Sequence, residues 1–248
     1  MRITDHGIIV SKRLLEENSG IITVFTKEHG LYSGVVKNMN NRRGSNIHQI
    51  GNLVEFNWSA RLPTHIGTLK CELIKSYSAK ILYDKRKLYL LSSILSIISA
   101  SLKPHEKYPA LFDHVNSYTE NLTQNPFSFL EYLKLELAIL SSVGYSLDMS
   151  KCAVTGVTEN LAYISPKSGK AVCLDAAKPY LSQLLALPKF LLQNTEPDSP
   201  DEIKAAFDLT GYFFKRYIFH NGSETASRVM LSEYIVSLEK YSITSCVI

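Results

Sequence analysis

The feature that most constrains the fold of this chain is a change in the period of its apolar residues near residue 80. Before Ser78, short apolar runs alternate with polar residues or are β-branched, and turn residues separate them. After Lys80, apolar residues recur three and four positions apart. Alternation is typical of strands with one buried face, and the longer period is typical of helices. We therefore predict an α+β chain, with strands in residues 1–80 and a mainly α-helical domain in 81–248.

Five short strands fit the first domain, at residues 7–13, 21–26, 31–37, 52–61 and 67–77. The fourth and fifth place apolar residues at every second position: Val54, Phe56, Trp58, Leu69, Cys71 and Leu73. The tripeptide Glu28-His29-Gly30 predicts a tight turn between the second and third strands, with glycine at a positive φ. Five strands in about eighty residues are typical of a small β-barrel of the OB-fold type.

The second domain begins with amphipathic segments that contain Leu91–Leu102 and Leu111–Leu122. A third helix is predicted to begin with Asn125 as its N-cap and Pro126 at its first position, and to end near Gly144. Two further helices are predicted nearer the C-terminus. One begins at the capping box of residues 199–202, and the other follows Ser223.

Between these helical segments, the stretch from Cys152 to Cys173 predicts a hairpin whose turn lies at residues 165–169. A structural zinc ion usually needs two Cys-x-x-Cys pairs. Here Thr155 follows Cys152 at that spacing, and Ala176 follows Cys173, so both pairs are incomplete. We therefore expect a degenerate zinc-ribbon-like insert at about residues 150–176, with no bound metal or other cofactor.

The cellular compartment follows from what the sequence lacks. The apolar stretches are too short to cross a bilayer, and the N-terminal residues do not resemble a signal peptide. The four cysteines, Cys71, Cys152, Cys173 and Cys246, are too few and too scattered for a disulfide framework. These observations predict a cytoplasmic protein with free thiols and no membrane partner.

The net charge of +4 is distributed unevenly along the chain. The first 82 residues contain eleven Lys and Arg against six Asp and Glu, whereas the remainder is close to neutral. An excess of this size favours an anionic partner for the first domain. It is also compatible with a small domain that is simply well solvated.

The clearest candidate contact with an anion is the segment from Lys37 to His48, which joins the third and fourth strands. Its amides, glycine and charges indicate a flexible loop that cannot bury itself. Arg42 and Arg43 can grip phosphates bidentately, and Lys37 adds a third positive charge. OB barrels bind nucleic-acid strands with such loops. Further candidate nucleic-acid-binding residues in the same domain are Lys12, Arg13 and Arg61. The alternative is a loop that is only solvated.

Aromatic residues could provide stacking platforms for bases on the same barrel. The available rings are Tyr32, Phe56, Trp58 and Tyr77. The alternation of the fourth strand favours a core position for Phe56 and Trp58 instead.

Catalytic motifs are missing from the sequence. Residues 168–171, Ser-Gly-Lys-Ala, contain only a fragment of a phosphate-binding loop. No metalloprotease or nucleophile-elbow motif is present, and the histidines occur singly. We expect no enzymatic activity and no catalytic residue.

Several short motifs resemble the RecO family of DNA repair proteins. They are Asp5-His6-Gly7-Ile8-Ile9-Val10, Thr26-Lys27-Glu28-His29-Gly30, Gly34-Val35-Val36-Lys37, Gly51-Asn52-Leu53-Val54-Glu55, Leu135-Glu136-Leu137, Val143-Gly144-Tyr145-Ser146-Leu147-Asp148, Cys152-Ala153-Val154-Thr155-Gly156 and Ser165-Pro166-Lys167-Ser168-Gly169. Their order and spacing cover almost the whole chain and most resemble the alphaproteobacterial branch.

The resemblance implies an OB-fold followed by a helical domain with a zinc-ribbon-like insert. It also implies binding of single- and double-stranded DNA, annealing of complementary strands and help in loading the recombinase RecA. The implied partners are RecR and the acidic C-terminal tail of single-stranded DNA-binding protein, and the implied location is the nucleoid. The resemblance makes the helix around Lys134 a candidate docking site for this tail.

Two other functions remain open at this stage. An OB barrel with a basic loop does not by itself distinguish ribose from deoxyribose, so the chain could be an RNA-binding module. Competition between DNA and RNA of equal length would separate these functions. A small metal-dependent enzyme is the third alternative, and loss of activity on chelation would support it.

Overall fold

The computed structural model describes residues 1–62, 65–219 and 222–244, without the side chains of Arg43 and residues 238–244. It divides into two compact units, residues 1–127 and residues 128–248. Cys246, predicted from the sequence to be a free thiol, lies outside the described residues.

The first unit contains a closed five-stranded barrel with the strand order β1-β2-β3-β5-β4. Its strands are β1 (Arg2–Glu16), β2 (Ser19–Thr26), β3 (Gly30–Lys37), β4 (Leu53–Ser59) and β5 (Thr68–Lys75). Neighbouring strands are antiparallel, except that β3 and β5 meet in parallel at Val35 and Thr68. The predicted five-stranded barrel and the α+β class are therefore confirmed.

The barrel core follows the alternation of β4, where Val54, Phe56 and Trp58 are at most 2% exposed. Leu69 of β5 is also buried, but the inward position predicted for Leu73 is wrong, because that side chain is 40% exposed. The pairing of β5 with β3 is limited to Thr68. Among the described residues, the later half of β5 pairs with β4 alone.

The turn between β2 and β3 is the one predicted from Glu28-His29-Gly30. Gly30 has a φ of 73°, and a Cβ at this position would lie 1.9 Å from the carbonyl oxygen of Glu106. Both the backbone conformation and the lack of space therefore require glycine.

The described part of the first unit also contains the helices α1 (Arg42–Ile47), α2 (Tyr77–Ile81), α3 (Lys85–Ser101) and α4 (Pro109–Gln124). The predicted amphipathic segments form α3 and α4 and bury their apolar faces. The Phe112 ring of α4 lies 5.5 Å from the Phe25 ring of β2, and Lys27 forms an ion pair with Asp113 at 2.8 Å. These contacts hold α4 on the barrel.

Within its described residues, the second unit contains five α-helices, one 3₁₀ helix and a small sheet. Its elements are α5 (Phe129–Ser142), β6 (Leu161–Ile164), β7 (Ala171–Cys173), α6 (Leu174–Ala177), a 3₁₀ helix (Lys178–Gln183), β8 (Leu185–Ala186), α7 (Lys189–Gln193), α8 (Pro200–Tyr217) and α9 (Ala226–Thr244). The predicted hairpin is confirmed by the antiparallel pairing of β6 with β7, and β8 adds a third strand to it. The predicted helices after Ser199 and Ser223 are α8 and α9.

The start of α5 differs from the prediction. Ser128 is its N-cap, and the Ser128 hydroxyl accepts a hydrogen bond from the Glu131 N–H at 3.0 Å. Asn125 instead ends α4, donating its N–H to the carbonyl of Asn121. The carboxylate of Glu196 accepts the N–H of Phe129, so a residue distant in sequence helps to satisfy the new helix end.

A buried ion pair lies in the core of the second unit. Arg228 of α9 is 2% exposed and Glu136 of α5 is fully buried, with Nε and Oε1 2.8 Å apart. Arg228 also contacts Glu224 at 2.6 Å, and the hydroxyl of Thr210 donates to Glu136. The two charges are therefore paired and surrounded by further hydrogen bonds, as buried charges must be.

Candidate nucleic-acid interface

The segment from Lys37 to His48 is more ordered than the sequence predicts. Met39 is fully buried, so the expectation that this segment cannot bury itself is wrong. The Met39 N–H donates to the carbonyl of Asn18, and the Asn40 amide donates to the carbonyl of Glu17. These bonds tie the segment to the turn between β1 and β2.

Helix α1 occupies the second half of this segment. The side chain of Asn41 accepts the N–H of Gly44 and caps the helix. At Gly44, a Cβ would lie 2.2 Å from the carbonyl oxygen of Asn38. The backbone around Arg42 is therefore ordered. It is held by the buried side chain of Met39, by the Asn41 cap and by the close approach at Gly44.

Strand pairing places Lys37 of β3 and Arg13 of β1 on either side of β2. Lys37 stands opposite Ser19 of β2, and Arg13 stands opposite Ile21, two residues further along the same strand. Burial lowers the pKa of His48, and the charge of Lys12 adds to this effect, so Lys12 lies near the end of α1. The adjoining turn also contains the exposed carboxylates of Glu16 and Glu17.

Arg61 lies elsewhere, in the loop between β4 and β5, and is exposed. The side chain of Arg43 falls outside the described part of the chain. Among the described residues, no ion pair engages the predicted basic side chains of the barrel, namely Lys12, Arg13, Lys37, Arg42 and Arg61. They are therefore available to an anionic ligand.

Two basic residues that were not singled out from the sequence share the outer face of the barrel. Arg2 of β1 stands opposite Ser59, and Lys70 of β5 stands opposite Asn57. Both side chains are exposed. The alternation around the buried Ile3 and Leu69 could have identified them, because neighbours of inward residues on a strand point outward.

The four candidate aromatic residues belong to the core. Tyr32, Phe56, Trp58 and Tyr77 are at most 6% exposed. Burial raises the pKa of the Tyr32 and Tyr77 hydroxyls. None of these rings lies open on the surface as a stacking platform, as the core interpretation of Phe56 and Trp58 anticipates.

Lys134, the candidate contact for a protein tail, lies on α5 in the second unit. Its ammonium group is 2.9 Å from the carboxylate of Glu131, and both side chains are more than 40% exposed. A pair this exposed contributes little to stability and can exchange partners readily.

The hairpin cysteines do not fit a zinc site. The Thr155 hydroxyl lies 3.6 Å from Cys173 Sγ, and the Cys173 N–H donates to Cys152 Sγ at 3.3 Å. Burial raises the pKa of Cys152, but hydrogen bonds, including that from Thr155, outweigh burial and lower it to about 6. Two thiols and a hydroxyl make an incomplete donor set, and the methyl group of Ala176 adds no ligand.

Other possible metal and membrane features are absent from the described part of the chain. No three His, Cys, Asp or Glu side chains come together there as a metal site. Burial raises the pKa of Cys71 to about 12, so this thiol stays protonated at neutral pH. Within the described residues, no helix combines the length and apolarity needed to cross a membrane.

Comparison with known proteins identifies two matching family models. Residues 1–77 match "Recombination protein O N terminal", and residues 82–224 match "Recombination protein O C terminal". The two matches meet near residue 80, whereas the first compact unit extends to Phe127. The domain division at residue 80 stays a prediction.

Full-length relatives agree with these matches. The chain is 46% identical over 237 residues to the DNA repair protein RecO of Rickettsia felis, covering 96% of this chain and 99% of the relative. It is 48% identical over 236 residues to the RecO of Rickettsia canadensis, covering 95% and 97%. The RecO of Rickettsia bellii is 46% identical over 245 residues, covering 99% and 100%.

Proposed function

The chain belongs to the RecO family, and on that basis we propose that it acts in DNA repair as a recombination mediator. In this proposal it binds single- and double-stranded DNA and anneals complementary strands without making or breaking a covalent bond. Together with RecR, it helps to load RecA onto DNA that is coated by single-stranded DNA-binding protein. It does so in the cytoplasm, at the nucleoid.

The observation that carries the proposal is the group of unpaired cations on the barrel. Lys12 and Arg13 lie on β1, Lys37 ends β3, Arg42 begins α1, and Arg61 lies on the loop between β4 and β5. Lysine and arginine bind phosphates and release the counterions that surround DNA. This group therefore supports binding that weakens as salt rises.

Annealing follows from the same electrostatics. Two DNA strands repel each other through their phosphates, and a protein that neutralises phosphates on both strands lowers the cost of bringing them together. Phosphate contacts leave the base edges free to pair and carry no sequence information. We therefore expect annealing to be independent of the sequence.

Access to coated DNA is assigned to the second unit. In this proposal, Lys134 exchanges its exposed partner Glu131 for the acidic tail of single-stranded DNA-binding protein. Replacing Glu131 as the partner costs little free energy, because an exposed ion pair contributes little to stability. Electrostatic complementarity would then speed association of the two proteins.

The test is an annealing assay with complementary fluorescent oligonucleotides, with non-complementary strands as the control. We expect the full chain to accelerate annealing of naked strands and of strands coated with single-stranded DNA-binding protein. Competition with RNA of equal length tests the alternative of an RNA-binding module. The proposal fails if the protein binds neither single- nor double-stranded DNA, or if RNA displaces DNA completely.

A further inference from the structure

Two cysteines of the second unit are in contact across the hairpin. Cys173 ends β7, and Cys152 begins the tight loop of residues 152–157, which precedes β6. The Cys173 N–H donates to Cys152 Sγ at 3.3 Å, and the Ala153 N–H donates to the carbonyl of Ala171 at 2.8 Å. The loop is therefore fastened to β7 at the point where the two thiols meet.

The hydroxyl of Thr155 contacts both cysteines. Its oxygen lies 3.6 Å from Cys173 Sγ, and it also forms a hydrogen bond with Cys152. Because a hydroxyl is both donor and acceptor, its O–H can donate to Cys152 while its oxygen accepts the S–H of Cys173. A direct N–H···S contact and a shared hydroxyl bring the two side chains into the close contact that a disulfide requires.

The surroundings of Cys152 favour its thiolate. Burial raises the pKa of Cys152, but hydrogen bonds from the Thr155 hydroxyl and from the backbone of Cys173, Thr155 and Val154 outweigh burial and lower it to about 6. Burial raises the pKa of Cys71, in contrast, to about 12. Since the thiolate is the nucleophile in cysteine chemistry, Cys152 is the more reactive of these two thiols at neutral pH.

A thin cover of exposed chain separates the two thiols from solvent. Cys152 is 2% exposed and Cys173 is 5% exposed, whereas each of the residues 153–157 is exposed. An exposed loop opens locally at a small cost in free energy. Such an opening admits a small oxidant more readily than a bulky reagent.

We propose that Cys152 and Cys173 form a modification site for peroxide, which converts the pair into an intrachain disulfide. The proposal goes beyond the proposed function and does not depend on it. At rest both residues are thiols, as expected in a reducing cytoplasm. The disulfide would tie the loop of residues 152–157 to β7, in the way that zinc ties together the two halves of a complete four-cysteine ribbon.

The reaction has two steps. The Cys152 thiolate attacks one oxygen of hydrogen peroxide, so that the O–O bond breaks, hydroxide leaves and the sulfur becomes a sulfenic acid. The Cys173 sulfur then attacks the Cys152 sulfur. An S–S bond forms as the S–O bond breaks, and the Cys173 proton leaves with the hydroxyl group as water. The thiols have then given two electrons to the peroxide, and a thiol reductant reverses the change.

The first test maps disulfides in the full chain, which is reduced and then treated with increasing hydrogen peroxide. Trypsin cleaves after Lys151 and Lys170, so the two cysteines lie on separate peptides. We expect these peptides to become linked first, while Cys71 and Cys246 remain open to alkylation. A thiol reductant should separate them again. This measurement needs no substitution, so misfolding of a variant cannot obscure it.

Two variants distinguish the attacking thiol from the resolving thiol. Cys173→Ser should stop the reaction at the sulfenic acid of Cys152, which dimedone traps. Cys152→Ser should give little trapping at Cys173, because the stabilised thiolate is missing.

The role of the shared hydroxyl is tested by Thr155→Val, which keeps the shape of the side chain. The pH midpoint for alkylation of Cys152, about 6 in the unchanged protein, should rise by about one unit, because a hydrogen bond to the charged form is lost. Thr158→Val, at an exposed position nearby, is the matched control and should keep the midpoint. Equal midpoints in the two variants would reject the role of Thr155.

The proposal is overturned if peroxide links no peptides through Cys152 and Cys173, or links them only after the chain is unfolded. Consumption of Cys71 or Cys246 before this pair overturns it as well. So does one zinc ion per chain that must be removed before the pair can be oxidised. In each of these cases the proposed DNA-binding function stands, because it depends on the cations of the barrel.

Discussion

At the scale of single residues, Glu136 is the polar residue of a short motif that forms a buried ion pair in the structure. In the sequence it is the polar member of Leu135-Glu136-Leu137, and in the structure its carboxylate is fully buried against Arg228. Removing one partner of such a pair leaves a charge in the core without compensation. The ion pair is therefore a point of vulnerability in the second unit.

We predict that Arg228→Ala destabilises the protein by about 3–5 kcal/mol, because Glu136 would remain buried and unpaired. Chemical denaturation followed by circular dichroism measures this loss. The matched control is the double variant Arg228→Met with Glu136→Met, which replaces both charges by apolar groups and should recover much of the stability. A double variant as unstable as Arg228→Ala would contradict the assigned cause.

A second residue-scale prediction concerns pH. Burial raises the pKa of Glu224, but Arg228 and Lys215 outweigh burial and hold it below its ordinary value of 4.5. A lowered carboxyl pKa stabilises the fold above the ordinary pKa, and this stability is lost as the pH falls through the lowered value. The free energy of unfolding should therefore decline with acid below about pH 4.5.

Glu224→Gln should remove this part of the acid sensitivity, with a loss of about 1 kcal/mol at neutral pH. The unfolding free energies of the variant and the unchanged protein should converge at low pH. Urea titrations across the pH range test this, and curves that stay parallel would argue against the role of Glu224. Glu233→Gln, on α9, is the control.

At the scale of elements, the Lys37–His48 segment combines an anchor with an exposed charged surface. Met39 is buried and Asn41 caps α1, whereas Lys37 and Arg42 are exposed. The groups that hold the segment therefore differ from those assigned to phosphates. Charge can be removed here without removing the anchor.

We predict that the triple substitution of Lys37, Arg42 and Arg43 by alanine weakens DNA binding equally for unrelated sequences. It should also flatten the salt dependence by about one unit of slope per lost phosphate contact. Fluorescence anisotropy across a salt series measures both effects, and thermal unfolding should change little.

The control for this variant removes the same number of charges from exposed lysines of the second unit, Lys167, Lys170 and Lys189. It should keep the original salt slope. If the two triple variants behave alike, net charge alone explains binding and the segment has no special role.

At the scale of the whole molecule, the chain divides into two compact units, and its excess of positive charge lies in the first 82 residues. The proposed DNA contacts lie in the first unit, and the proposed contact with the protein tail, Lys134, lies in the second. Substitutions in the first unit should therefore impair DNA binding, and substitutions at the tail contact in the second unit should impair activity on coated DNA.

We predict that Lys134→Glu leaves binding and annealing of naked DNA nearly intact, since the cations of the barrel are unchanged. Annealing of DNA coated with single-stranded DNA-binding protein should fall, because the acidic tail would meet a like charge. Lys204→Glu is the matched control, since Lys204 also forms an intrahelical pair, with Asp208. Equal loss on naked and coated strands would reject this division of roles.

The buried faces and tight turns of this protein can largely be predicted from local patterns in its sequence. The alternation of Val54, Phe56 and Trp58 predicts an inward face, and the structure buries all three. Gly30 could be predicted because a tight turn needs a positive φ there. Such features depend on neighbours in the chain, whose geometry the residue types largely set.

Tertiary structure decided the features that depend on residues distant in sequence. Helix α5 begins after Ser128, where Glu196 reaches its first N–H groups, and not at Asn125. Met39 is buried because its side chain joins the barrel core beside Gly20 of β2, although its neighbours in sequence are polar. Cys152 and Cys173 likewise meet only once the hairpin has formed. Periodicity describes which face of an element is apolar, whereas the partner that covers or completes that face comes from elsewhere in the chain, and only packing selects it.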